Sequence, residues 1–155
     1  MTGLLKHCRL CPRACGADRT RTRGLCGAND QIEAARASLH LWEEPPISGT
    51  RGSGTVFFSH CSLGCVFCQN RQISRREAAG KAVSVQSLAR TFLSLERQGA
   101  HNINLVTGAH YVPHIIEALR LSRHQGLSVP IVYNSSGYES IDTLKLLDGW
   151  IDIYL

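Results

Sequence analysis

Thr55-Val56-Phe57-Phe58-Ser59-His60-Cys61-Ser62-Leu63-Gly64-Cys65-Val66-Phe67-Cys68-Gln69-Asn70 is the stretch whose reading decides the fold. It opens on a short apolar run with the composition of a buried strand, and three cysteines follow within eight residues. Thiolates spaced that closely on a loop leaving a strand can converge on one metal centre. They supply three ligands, and a fourth is not nearby. A closed structural zinc site takes four protein ligands, whereas an iron-sulfur cluster can hang on three cysteines and leave one iron open to another group. The missing fourth ligand is the first indication of function.

Behind this loop, strand and helix patterns alternate. After a charged linker, Arg71 to Lys81, Ser84 is placed to N-cap a helix on which Val85, Leu88, Ala89, Phe92 and Leu95 recur at helical spacing, with Gly99 at its end. Ile103 to Thr107 reads as the next strand and Gly108 to Tyr111 as its exit loop. Pro113 suits the first turn of a second helix carrying Ile115, Ile116, Leu119 and Ser122 inward, and Gly126 closes it. Pro130 introduces the strand Ile131 to Asn134, and Ser135 to Tyr138 form its exit loop. Ile141, Leu144 and Leu147 mark one face of a third, short helix capped by Gly149, and Ile151 to Leu155 read as a fourth strand. This order predicts an α/β fold with right-handed crossovers and a parallel sheet. Functional residues in such sheets gather at the carboxyl ends of the strands. Those ends carry Cys61 to Cys68, Thr107 to His110 and Asn134 to Gly137, so three loops are expected around one mouth. His60 and His110 are the histidines nearest that mouth and are assigned no catalytic role.

A second cysteine group precedes the first. Cys8-x2-Cys11-x3-Cys15-x10-Cys26, laced with Pro12, Gly16, Gly24 and Gly27, has the turn residues of a chain folded around an ion. Four thiolates suit a structural zinc or an iron-sulfur cluster, and spacing does not separate the two. Arg9, Arg13, Arg19, Arg21 and Arg23 lie among these cysteines, forming a solvated basic face or a docking patch for a small acidic electron carrier. The pattern from Ile32 to Trp42 fits helix or strand, and Glu43-Glu44-Pro45-Pro46 then stops any helix and reads as a solvated turn. Gly49 to Gly54 lacks the lysine of a phosphate-binding loop and serves as a connector. Residues 1–48 are therefore read as a Cys-rich module with its connector, and 49–155 as the core.

The 155 residues are 43% hydrophobic, which excludes a disordered tail, and Lys plus Arg exceeds Asp plus Glu by 17 − 12 = 5. That balance attracts acidic partners but is too diffuse to diagnose a nucleic-acid interface. The start has no apolar signal region and no 18-residue apolar run occurs, so a cytoplasmic chain without a membrane span is expected. In a reducing compartment, an odd count of seven cysteines argues for metal binding over disulfides.

Cys61-x3-Cys65-x2-Cys68, with Phe67 just before the last cysteine and the loop leaving a first strand, resembles the signature of the radical S-adenosylmethionine (radical SAM) superfamily. The resemblance narrows through Cys8-x2-Cys11-Pro12-Arg13-x-Cys15-Gly16, Gly24-Leu25-Cys26-Gly27, Glu43 to Gly49 and Cys68-Gln69-Asn70. These are similar to an uncharacterised branch related to pyruvate formate-lyase activating enzymes. It implies a partial TIM-type (βα) barrel, with about four strands present, and a 4Fe-4S cluster on Cys61, Cys65 and Cys68. The open iron of that cluster chelates S-adenosylmethionine, which one electron cleaves to methionine and a 5′-deoxyadenosyl radical that abstracts hydrogen. Cofactor contacts are implied at Phe67, whose backbone falls near the adenine, and at Thr107 and Gly108, where a Gly-Gly-Glu motif keeps one glycine. Asn134 and Ser136 fall where ribose or carboxylate contacts are expected. The implied partners are a protein substrate of the glycyl radical type and a carrier such as flavodoxin or ferredoxin.

Leu155 ends the sequence inside an apolar strand, where the related enzymes continue, so an amino-terminal portion of a longer enzyme is expected. The competing expectations are an inert cluster-binding fragment and a zinc-stabilised nucleic-acid-binding module.

Overall fold

The computed structural model describes residues 3–155, which open on the helical turn α1 (Gly3–Lys6). Its centre is a six-stranded mixed sheet in the order β3-β1-β2-β4-β5-β6, formed by β1 (Ile32–His40), β2 (Ser53–Phe58), β3 (Lys81–Val83), β4 (Ile103–Val106), β5 (Ile131–Asn134) and β6 (Ile153–Tyr154). The four strands expected from the alternating pattern are present, and β2, β4, β5 and β6 run parallel. The all-parallel, four-strand expectation is corrected by β1 and β3, which pair antiparallel to β2 and to β1 respectively. The link between β1 and β2, residues 41–52, holds only the helical turn α2 (Pro45–Ser48), so the chain reverses instead of crossing over. β3 lies within and beyond the end of the charged linker and pairs Lys81, Ala82 and Val83 with Ala34, Glu33 and Ile32.

Helices α4 (Val85–Arg97) and α5 (Val112–His124) cover one face of the sheet. The Ser84 hydroxyl accepts the Ser87 N–H and starts α4, as its N-cap position predicts. Leu88, Ala89, Phe92 and Leu95 of α4 and Ile115, Ile116 and Leu119 of α5 are buried with Val56, Phe58, Ile103, Leu105, Ile131 and Tyr133. Each such large apolar side chain contributes about 1.5–3 kcal/mol of burial. α6 (Ile141–Leu147) is present, but its expected face is corrected. Leu147 and Thr143 are buried, while Ile141 is 72% and Leu144 40% exposed. This short helix starts on the Ser140 cap and turns Thr143 and Leu147, four residues apart, inward, so hydrophobic spacing alone chose the wrong side.

The opposite face carries Thr55, Phe57, Asn104, Val106, Val132 and Asn134 by strand alternation. Residues 43–48 lie back across it. The Asn134 amide reaches Glu43 Oε2 at 3.5 Å at the carboxyl end, and the Asn102 amide donates to the Ile47 carbonyl at 2.8 Å at the amino end. Glu44, Pro45 and Pro46 of this strap are exposed, as a solvated turn requires, Glu43 is half-buried, and the residues that follow, Ile47 and Ser48, are buried. No helix among the described residues is long and apolar enough to cross a membrane.

Candidate functional site

The cysteine loop leaves the carboxyl end of β2 and returns to the sheet through α3 (Arg71–Ser74). Its entry is fixed by the backbone: the Ser59 N–H donates to the Glu33 carbonyl at 2.9 Å and the His60 N–H to the Ile73 carbonyl at 2.7 Å. His60 takes a positive φ of 70°, which swings the chain out of the strand. Cys61, Cys65 and Cys68 are all half-buried. The Leu63 N–H donates to Cys61 Sγ and the Ser74 hydroxyl to Cys68 Sγ, each at 3.4 Å. Both contacts leave the sulfur in the accepting role, the one a ligating sulfur also takes. The donor chemistry fits a cluster held on three cysteines. Among the described residues, no three His, Cys, Asp or Glu side chains are drawn together closely enough to hold an ion, and this applies to both cysteine groups.

A buried polar layer underlies the loop. His60 Nε2 lies 3.1 Å from Glu33 Oε2, and Arg23 Nη2 donates to Glu33 Oε1 at 3.0 Å. Burial pushes the Glu33 carboxyl up, but the Gly80 N–H, His60 and Arg23 together outweigh it and hold its pKa below the usual carboxylate range. His110 Nε2 lies 2.8 Å from the Ser59 carbonyl. Burial holds the His110 imidazole neutral and lowers its pKa to about 3, helped by the Arg19 charge. Both histidines are fully or almost fully buried inside this layer, and neither is presented at the mouth.

Phe57, Val106 and Asn134 stand in one row across β2, β4 and β5. With Gln69 and Asn70 of the loop and Trp42 they line a cavity of about 360 Å³. A second cavity of about 370 Å³ lies between β1, β3 and α4, lined largely by alanine and valine and remote from the thiols.

A family model described as the radical SAM superfamily matches residues 55–154, which begin in β2 and take in the loop, the cavity row and every parallel strand. The chain belongs to the radical SAM superfamily. Members bind a 4Fe-4S cluster and S-adenosylmethionine. The chain is also 29% identical over 158 aligned positions to "Uncharacterized protein MJ0674" of Methanocaldococcus jannaschii, an alignment covering 98% of this chain and 45% of that protein. It therefore spans about half the length of that curated relative. No solved structure matches the chain.

Within this radical SAM domain the residues singled out from sequence fall into two groups. The Thr107 N–H donates to the Asn134 carbonyl at 3.0 Å, so these strand ends are joined, and Thr107 carries a positive φ of 60°. Gly108 follows, but its bare Cα faces the core: a Cβ there would meet Ile115 Cδ1 at 2.7 Å. Packing alone accounts for that glycine. The Phe67 side chain is 86% exposed. Ser136 is exposed on the turn after β5 and does not line the cavity, whereas Asn134 does. Glu33, Arg19 and Glu43 were not legible as site-supporting residues, because each acts across a sequence gap that no local pattern reveals. Cys8, Cys11, Cys15 and Cys26 fold on the amino-terminal side of the loop. There Cys26 shares a cavity of about 220 Å³ with Arg13, Cys61, Arg75 and Arg76.

Proposed function

We propose that this chain carries the cluster and part of the cofactor site of an enzyme that reductively cleaves S-adenosylmethionine for hydrogen abstraction. The observation that supports it best is the position of Cys61, Cys65 and Cys68 at the carboxyl end of β2, beside the cavity formed by Phe57, Val106 and Asn134. In this reading those three thiolates would hold a 4Fe-4S cluster. The fourth iron would be left to the amino and carboxylate groups of the cofactor. When bound, the pair supplies one-electron cleavage of the sulfonium and a carbon radical that takes hydrogen from substrate.

The chain's own residues bind, orient and shield. Gln69, Asn70 and Asn134 offer amide donors and acceptors on the cavity wall. Phe57 and Val106 give it apolar surface, and Trp42 stands exposed at its rim. Thr107 and Gly108 present main-chain groups at the end of β4, next to Asn134. The four parallel strands form part of a (βα) barrel in this reading, with the Glu43–Ser48 strap on its inner side.

The branch related to pyruvate formate-lyase activating enzymes makes a glycine backbone of a protein partner the substrate class. A small acidic carrier such as flavodoxin or ferredoxin would supply the electron in the cytoplasm, drawn to Arg13, Arg75 and Arg76 around Cys61. The test is anaerobic reconstitution with iron and sulfide, followed by reductant and S-adenosylmethionine, with 5′-deoxyadenosine as the readout. Its formation by the chain, and its loss in Cys65→Ala, are expected. Stoichiometric zinc without iron or sulfide at both cysteine groups would sink this reading. A reconstituted cluster that yields no 5′-deoxyadenosine would leave the chain a cluster-binding fragment.

A further inference from the structure

The amino-terminal cysteines are folded onto one another by backbone bonds: the Cys8 N–H donates to the Ala17 carbonyl at 3.1 Å and the Gly16 N–H to the Cys8 carbonyl at 3.0 Å, which lays Cys15 beside Cys8. Cys26 comes to the same place from the other side, because a Cβ on Gly24 would lie 3.5 Å from Cys26 Sγ and 3.7 Å from Arg19 Cδ. The turns are closed by Ala14 N–H to the Cys11 carbonyl at 2.9 Å and Gly27 N–H to the Gly24 carbonyl at 3.0 Å. Cys8 is buried with Leu5 and Leu10, and Cys15 packs on the same small cluster.

Arg19 is the independent observation. Its side chain is fully buried, and no carboxylate lies within ion-pair distance of it among the described residues. Nη1 donates to the His110 carbonyl at 2.6 Å and approaches Cys8 Sγ at 3.8 Å, Nη2 donates to the Asn29 carbonyl, and Nε has no partner. A guanidinium closed off from water needs an opposing charge to offset its desolvation. Four thiolates around a divalent ion carry two net negative charges, and the thiol nearest Arg19 belongs to such a set.

We propose that Cys8, Cys11, Cys15 and Cys26 form a closed tetrathiolate site for a single zinc ion, with Arg19 as the buried counter-charge that fastens it to the main domain. Binding exchanges four thiol protons for one Zn²⁺ and draws the sulfurs inward, with no change of oxidation state. Four cysteine sulfurs with no open position are the ligand set of a structural zinc site. The site has a mechanical consequence. Arg13 lies between two of the ligands, and its guanidinium donates to the carbonyls of Ser62 and Leu63 on the cysteine loop. Zinc therefore fixes the loop that carries Cys61, and this holds whatever chemistry that loop performs.

The test uses the full chain with Cys61, Cys65 and Cys68 all replaced by Ala, titrated anaerobically with Co²⁺ and then Zn²⁺. One Co²⁺ per chain with intense thiolate charge-transfer and tetrahedral d–d absorption, displaced by one Zn²⁺, is expected. Arg19→Met should weaken zinc about 10–100-fold, as loss of a supporting group around a metal does, and Arg19→Lys should recover part of that. Mass-spectrometric mapping of alkylation in the unmutated chain gives a readout that needs no variant: zinc should protect Cys8, Cys11, Cys15 and Cys26 together. Absence of the cobalt-thiolate spectrum, protection of fewer than all four, or iron with acid-labile sulfide on these cysteines overturns the proposal.

Discussion

His60 Nε2 lies 3.1 Å from Glu33 Oε2, joining the residue just before Cys61 to the start of β1. The pair is shielded, with the histidine side chain fully buried and the glutamate side chain 10% exposed. A strand absent from the parallel core thus positions the entry of the cysteine loop.

Glu33→Gln removes the charge that Arg23 and His60 share. The expected loss is about 3 kcal/mol at pH 7, the scale for removing one partner of a buried pair, read from urea midpoints. Because the folded pKa of Glu33 is depressed, its contribution is complete above the unfolded carboxylate range, about pH 5. It disappears as pH falls through the folded value, so the gap between wild type and variant should narrow below about pH 4.

His110 gives a second pH signature with the same sign. The unfolded imidazole takes its proton near pH 6.5, whereas the native one resists to about pH 3, so the unfolded state binds the extra proton throughout that window. Stability should fall as pH drops from about 6.5, with a slope approaching about 1.4 kcal/mol per pH unit from this residue. His110→Gln keeps a donor for the Ser59 carbonyl but cannot titrate. Denaturant titrations between pH 6 and 4 should show a shallower slope; His114, also lowered by burial, retains part of it.

Gly27→Ala tests the seam between the amino-terminal cysteines and the loop's return. Gly27 has φ +93°, and a Cβ there would meet the Arg76 carbonyl oxygen at 2.6 Å and its Cα at 2.8 Å. Strain and backbone overlap together should cost about 2–4 kcal/mol. Hydrogen exchange should rise first in residues 75–77. An unchanged urea midpoint would show that this seam is not closed in solution.

Leu147→Ala and Ile141→Ala separate the two possible faces of α6. Leu147 is fully buried and should cost about 2–5 kcal/mol; the exposed Ile141 should stay within about 0.5 kcal/mol. Thermal or urea unfolding of the two variants decides, and the reverse order would restore the face that hydrophobic spacing suggested.

The parallel core was legible because each of its elements carries its own local signal. Ser84 caps α4, Leu88 and Phe92 keep helical spacing, and Pro113 and Gly126 bracket α5. β1 and β3 were not legible: Ala34, Ala35 and Ala37 serve helix or strand equally, and Lys81-Ala82-Val83 has no side-chain pattern of its own. Backbone pairing made them strands, and pairing is a tertiary event.

By itself the sequence determined the strand-loop-helix alternation and the thiol set of Cys61, Cys65 and Cys68, because spacing, caps and donor type are local properties of a chain. Only the tertiary structure decided that β1 extends the sheet antiparallel, that Glu33 seats His60 beneath the loop, and that Arg19 is buried beside Cys8. Those relations join residues far apart in the chain, and the free energy that fixes them comes from burial and pairing that no short window of sequence contains.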